Sequence, residues 1–302
     1  MKKIVLTFIT SALMSPGIFA QDTTDIFKTL ENELKTEEKD QKEYVTAAFK
    51  STRLINGHTI ENTAKGIMDL RISHRFGTLN KGAYELFGLD NATMRFGFDF
   101  GLTNNLMAGI GRSTIEKTYD AFFKLKILRQ STGKQQIPVS LSYVPTIALK
   151  TVKPEDPDKK IYFASRFFYT HQLIIGRKFS EGLSMQLMPS FIHRNLATRV
   201  SDPNDIFAVG IGGRQKLTKR TSFNLEYYYQ LPGHKLPGTT NTLSVGFDIE
   251  TGGHVFQLHF TNSEGMAERQ FISETKGSWD AGDILFGFNI SRIFALGKKH
   301  KN

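Results

Sequence analysis

Asp69, Arg71 and Arg75 share one parity, and a little further along the chain so do Arg95 and Asp99. Residues two apart on a β-strand point to the same face. Each set therefore gathers its charges on one side of a strand, and adjacent strands would bring cations and carboxylates within cross-strand reach. The same side takes in Lys124, Lys126, Lys150, Arg166, Arg194 and Arg214, with Asp120, Glu226 and Asp248. Two kinds of chemistry follow. A water-filled space lined by more cations than carboxylates favours anions. Packed closely, the same residues would fill a narrow interior as an ion-pair network. Arg53, His58 and Glu61 precede this series and are expected to fold into the same region.

Other chemistry finds less support. The sequence has no cysteine, which excludes disulfides, thiolate metal sites and a cysteine nucleophile. Its eight histidines form no metal motif: His171 and His193 sit among apolar-face residues, and His254 and His259 lack the helical H-x-x-x-H spacing. Tyr169-Thr170-His171-Gln172 is similar to the Tyr-x-His start of a membrane-embedded phospholipase motif. The Ser-Asn-Gly of that motif is missing after it, where Leu173, Ile174 and Gly176 stand, so the nucleophile is absent. Asp156, Asp158, Asp202, Asp205 and His234 fall in expected loops, as in outer-membrane proteases, but Asp in loops commonly makes turns. Gly265, Gly277 and Trp279 mark a last long loop that is either a lid folding inward or an ordinary connection. No catalytic residue, cofactor or metal is expected.

The elements that must position these residues are strands. In Ala92 to Leu102, Met94, Phe96, Phe98, Phe100 and Leu102 alternate with Arg95, Gly97, Asp99 and Gly101, a period of 2 that excludes an amphipathic helix. Similar alternation recurs from Lys65 to the C-terminus and predicts twelve strands. Pro145 is expected to weaken the strand that contains it, and Ile161 to Lys178 reads as a strand extending beyond the bilayer. Thr103 to Asn105, Ser131 to Gln135, Ser180 to Gly182, Leu217 to Arg220 and Glu250 to Gly253 are short turns. Long links alternate with them: Gly77 to Asn91, Val152 to Lys160, Ala197 to Asp205, Pro232 to Thr239 and Asn262 to Gly282. Ser113 to Glu116 is the one short link in the long series. Alternating short and long links with an even strand count is the pattern of an outer-membrane barrel. It predicts short turns and both chain ends in the periplasm. Phe76, Tyr119, Phe179, Tyr227 to Tyr229 and Phe294 near strand ends fit interfacial girdles.

The start of the chain agrees with export. Lys2 and Lys3, the apolar run Ile4 to Met14, and Ala20 before Gln21 predict a signal peptide over 1–20. Residues 21–64 are then a periplasmic arm or plug, with a short helix over Gln21 to Lys42 capped at Asp25 and a strand-like Tyr44 to Ile55. Export removes nucleic acid as the reason for the net charge of +10. No run is long and apolar enough for a membrane-spanning helix. A soluble periplasmic β protein, its apolar face packed on itself, is the alternative to a barrel.

Phe49 to Glu61, Asp69 to Gly77, Phe87 to Asp90, Gly109 to Ser113, Arg129 to Ser131 and Gly287 to Arg292 together resemble a family of Bacteroidetes-type outer-membrane β-barrels of unknown function. The resemblance implies fold and location and brings no catalytic residues. The combined expectation is an all-β, antiparallel up-and-down transmembrane barrel over 65–302, in contact with outer-membrane lipid. It would act as a porin-like channel for small anionic solutes. The lumenal candidates are Asp69, Arg71, Arg75, Arg95, Asp99, Lys124, Lys126, Arg166, Arg194 and Arg214. The alternatives are a closed docking barrel that binds a periplasmic protein partner through the arm, and a membrane-embedded hydrolase.

Overall fold

The structure, a computed structural model, describes residue 28 and residues 42–154, 161–197 and 199–297. The expected signal peptide, nearly all of the expected arm helix, and Asp156 and Asp158 lie outside the described residues.

Twelve antiparallel strands close into a barrel. In chain order they are β2 (Ile67–Thr78), β3 (Ala92–Gly101), β4 (Leu106–Ser113), β5 (Tyr119–Leu128), β7 (Ser140–Leu149), β8 (Phe167–Lys178), β9 (Leu183–Arg194), β10 (Asp205–Lys216), β11 (Thr221–Gln230), β12 (Thr242–Thr251), β13 (His254–Thr261) and β14 (Leu285–Ala295). Each pairs with the next, and β14 pairs with β2 to seal the sheet. Lipid offers no partners for backbone N–H and C=O groups, so a membrane-spanning sheet must close. Two short strands, β1 (Lys42–Tyr44) and β6 (Ser131–Gly133), pair with each other beside the short-turn end.

Register carries the alternation into three dimensions. Met68 lies opposite Phe100, and Asp69 opposite Asp99. Phe98, Phe123, Ile211, Phe247 and Leu258 are exposed on the outer face. Asp69, Arg71, Arg75, Arg95, Asp99 and Lys124 are buried within. Pro145 sits in β7 opposite His171 of β8. Across from it, the pairing of β7 with β5 lapses between Phe122↔Thr146 and Leu125↔Tyr143, as expected where a ladder donor is missing.

The inner face has two sectors. From β12 through β14 to β3 it is polar, with Asp248, Gln257, His259, Asn289, Arg71, Arg75 and Arg95. From β5 through β7 to β11 it carries Phe122, Val144, Ile174, Met188, Ile192, Ile206 and Tyr228, all buried in one apolar cluster. An apolar inner wall is costly against water, so the interior has to be filled.

Two expectations are corrected here. Tyr44 to Ile55 is not a strand beyond Tyr44. It enters a barrel whose strands already pair with one another, so no free edge is offered, and beyond Tyr44 its ladder contact is an isolated bridge between Arg53 and His58. Nor is Ile161 to Lys178 all strand: Phe163–Arg166 is a turn of 3-10 helix, and β8 starts at Phe167.

Leu258, midway along β13, is an outward residue on which an arginine tests the membrane face. Leu258→Arg is expected to lower unfolding stability in liposomes by about 2–4 kcal/mol, measured from urea midpoints. An unchanged midpoint would contradict lipid contact at this face.

Candidate functional site

Residues 45–64 run into the barrel from the short-turn end, turn, and return to begin β2. Two backbone bonds define the hairpin, Thr59 N to Thr52 O at 2.9 Å and Leu54 N to Gly57 O at 2.8 Å. Almost every residue from Ala48 to Thr63 is buried or half-buried, and His58 and Thr59 are fully so. The segment is a plug.

The wall is built to hold it. At the tip, Glu226 of β11 accepts hydrogen bonds from the backbone N–H groups of Ile55 (3.3 Å), Asn56 (3.2 Å) and Gly57 (2.9 Å). Gly57 is required because a Cβ there would collide with the Tyr228 hydroxyl. Gln257 donates to Leu54 O at 2.6 Å and Asn289 to Ile55 O at 2.9 Å. Arg75 donates to Asn56 Oδ1 at 2.8 Å, and Gln186 to His58 O at 2.7 Å. Lys124 gathers the carbonyls of Thr52, Thr59 and Glu61 around its ammonium. Arg214 donates to Ala48 O at 2.9 Å and Ala47 O at 3.3 Å. Arg71 donates to the hydroxyls of Ser51 and Thr52.

The apolar side of the plug faces the apolar sector. Phe49, Leu54 and Ile60 join the cluster of Val144, Ile174 and Met188. Gly212 and Gly176 give the plug its sockets: a Cβ at Gly212 would lie 2.5 Å from Leu54 Cδ2, and one at Gly176 2.6 Å from Ile60 Cγ2. The plug is thus amphipathic in the same sense as the lumen.

A second insert comes from the long-loop end. The loop after β13 folds inward and carries α1 (Glu268–Ser273), every residue of which is buried. Its Glu268 forms an ion pair with Arg53 of the plug and lies 3.2 Å from His58 Nε2. Burial alone would raise the Glu268 pKa, but Arg53 and the adjacent His58 outweigh it and hold the carboxyl well below its usual range. Burial, then the charge of Arg53, keeps His58 well below its ordinary pKa and so neutral. Arg269 ties the same helix to Glu116 and Glu274 and stacks on Phe168, 4.0 Å from the ring centre. Phe271 packs on Tyr228 at 5.3 Å. The plug and α1 therefore meet inside the barrel at Arg53–Glu268.

The residues picked out by parity divide three ways. Arg71, Arg75, Lys124 and Arg214 hold the plug. Asp99 accepts from Thr52 Oγ1 at 3.3 Å, and Asp69 lies 3.6 Å from Arg71. Arg95 and Arg194 are neutralised locally, Arg95 by Asp120 and Arg194 by Asp202 at 3.4 Å. The Arg95 guanidinium lies across Gly97 and Gly111 and reaches past β4 to Asp120 of β5. Lys126 is half-buried at the short-turn mouth, where it lines a cavity of about 10 Å³ with Glu61 and Ile60. Arg166 is corrected: it lies in the 3-10 turn, outside the strands, and donates to Val152 O at 3.0 Å. Lys150 pairs with Glu116 at the rim. Gln186, Gln257, Asn289 and Glu268 were missed, although the first three share the inward parity. Among the described residues, no group of three or more His, Cys, Asp or Glu is placed to hold a metal.

Glu226→Ala would leave three buried plug amides without an acceptor, at about 1–3 kcal/mol. Faster hydrogen exchange at residues 55–57, with the barrel still closed, is the expected outcome. Exchange unchanged from the parent would contradict the hold at the tip.

Several solved structures align with the chain. The NanC porin aligns at 9% identity over 75% of this chain and 98% of its own, with a TM-score of 0.45. The KdgM porin aligns at 10% identity over 76% and 99%, with a TM-score of 0.43. Omp33 of Acinetobacter baumannii aligns at 8% identity over 75% and 97%, with a TM-score of 0.38. No curated protein matches. A family model described as a membrane-bound β-barrel domain, DUF5777, matches residues 49–294, a span that takes in the plug as well as the twelve strands, and the chain belongs to that family.

Proposed function

We propose that this protein is a porin-like outer-membrane barrel held closed by its own N-terminal plug, and that release of the plug opens a lane for small anionic solutes. One observation carries the reading. Among the described residues, Arg75, Lys124 and Arg214 have no carboxylate within ion-pair distance; their partners include the carbonyl or amide oxygens of the plug. Peptide oxygens stand in for anions at these positions. Without the plug, the three cations would face water, with the wall carboxylates Glu226, Asp99 and Asp248 near them, and a small anion would take the positions that the peptide oxygens vacate. The alternating long and short links support the outer membrane, with the plug entering from the periplasmic side.

A second reading, a permanently closed barrel that docks a periplasmic protein through residues 21–64, is favoured by the apolar cluster shared by plug and wall. That cluster opposes release.

Planar-bilayer conductance under a salt gradient separates the two. The full chain is expected to be silent. A variant lacking residues 45–64 should conduct stably with anion preference, and adding Lys124→Glu and Arg214→Glu should abolish that preference. Glu226→Ala, which keeps the plug, should give intermittent openings. A folded, heat-modifiable deletion variant that stays silent would overturn transport and leave the docking barrel.

A further inference from the structure

A groove of about 470 Å³ crosses the lipid-facing wall over β3, β4, β5, β7 and β8. Its floor is low because Ala121 places only a methyl group where neighbouring strands carry large side chains. Phe96 and Phe98 form one bank, Ile147 and Phe167 the other. Arg112 closes the long-loop end, its guanidinium 5.7 Å from the centre of the Tyr119 ring. Arg112 is exposed on the outer face, directly opposite Phe96 and Tyr119. Asp120, next along β5, points inward to Arg95 and does not neutralise it. A lone outward cation at the level of an aromatic girdle, at the head of an apolar furrow, matches an amphiphile with an anionic head and an acyl tail. The volume falls within the range of about 300–1,000 Å³ usual for small-molecule sites.

We propose that this groove binds one phosphorylated, acylated glycolipid of the outer leaflet, lipid A. A phosphate engages Arg112, and an acyl chain lies over Ala121 between the aromatic banks. The assignment rests on the long-loop end facing outward, which labelling of Lys81→Cys in intact cells reports independently.

The test is native mass spectrometry of the folded full-length protein titrated with lipid A, with dephosphorylated lipid A and with phosphatidylethanolamine. Lipid A should form a one-to-one adduct, retained more strongly than either comparison lipid. Arg112→Gln and Ala121→Trp should each weaken it about tenfold, the loss of one charge-assisted contact or of the tail's seat. Arg112→Lys should recover part of the loss. Arg177→Gln, a cation stacked on Phe179 elsewhere on the wall, and Leu225→Trp, outward on β11, should bind as the parent does. Equal adducts in the parent, Arg112→Gln and Ala121→Trp, or equal binding of the dephosphorylated lipid, would overturn the proposal.

Discussion

A twelve-stranded barrel encloses more space than its own wall side chains fill, and what occupies that space governs the rest of this molecule. Here the occupant is protein. Wall cations bind the plug's peptide oxygens, and one wall carboxylate binds its peptide N–H groups. Buried backbone polar groups must be paired, and an irregular hairpin inside a closed sheet has no ladder to join. The long polar side chains of β2, β5, β9, β10, β11, β13 and β14 take the place of that ladder. The charge of the lumen and the irregularity of the plug are two sides of one requirement.

The same logic explains why the lumen is divided. A uniformly polar interior would suit water, and a uniformly apolar one would leave the plug's carbonyls unpaired. Polar side chains from both sectors, Gln257 and Asn289 in one and Glu226 and Lys124 in the other, pair the plug's backbone, while the apolar cluster packs Phe49, Leu54 and Ile60. Glu268 joins this arrangement from the opposite end. Its ion pair with Arg53 is fully buried, so removal of either partner would leave a charge stranded in the core. The plug from one end and α1 from the other therefore depend on each other.

Much of the fold was legible in the sequence because strand parity is a strong signal: Met94 to Leu102 fixes the lipid face, and twelve such runs fix the barrel. The inward set of charges was legible for the same reason. What failed has physical causes. Tyr44 to Ile55 looks like a strand, but the state of a segment inside a closed barrel is set by long-range contacts with the wall rather than by its own pattern. Arg166 has the right parity and lies beyond the strand to which parity applies. Phe122, Val144, Ile174, Met188 and Tyr228 stand at inward positions where a wet pore would carry polar groups. They were the available signal that the lumen is filled.

The occupied lumen is also the claim most directly open to measurement. The chain has no cysteine, so a single Thr59→Cys reports on the plug alone. In liposomes, a water-soluble maleimide is expected to leave Thr59→Cys unlabelled while labelling Lys42→Cys at the mouth, and to label both after heat unfolding. Rapid labelling of Thr59→Cys in the folded protein would show that the hairpin does not reside in the barrel and would contradict the account.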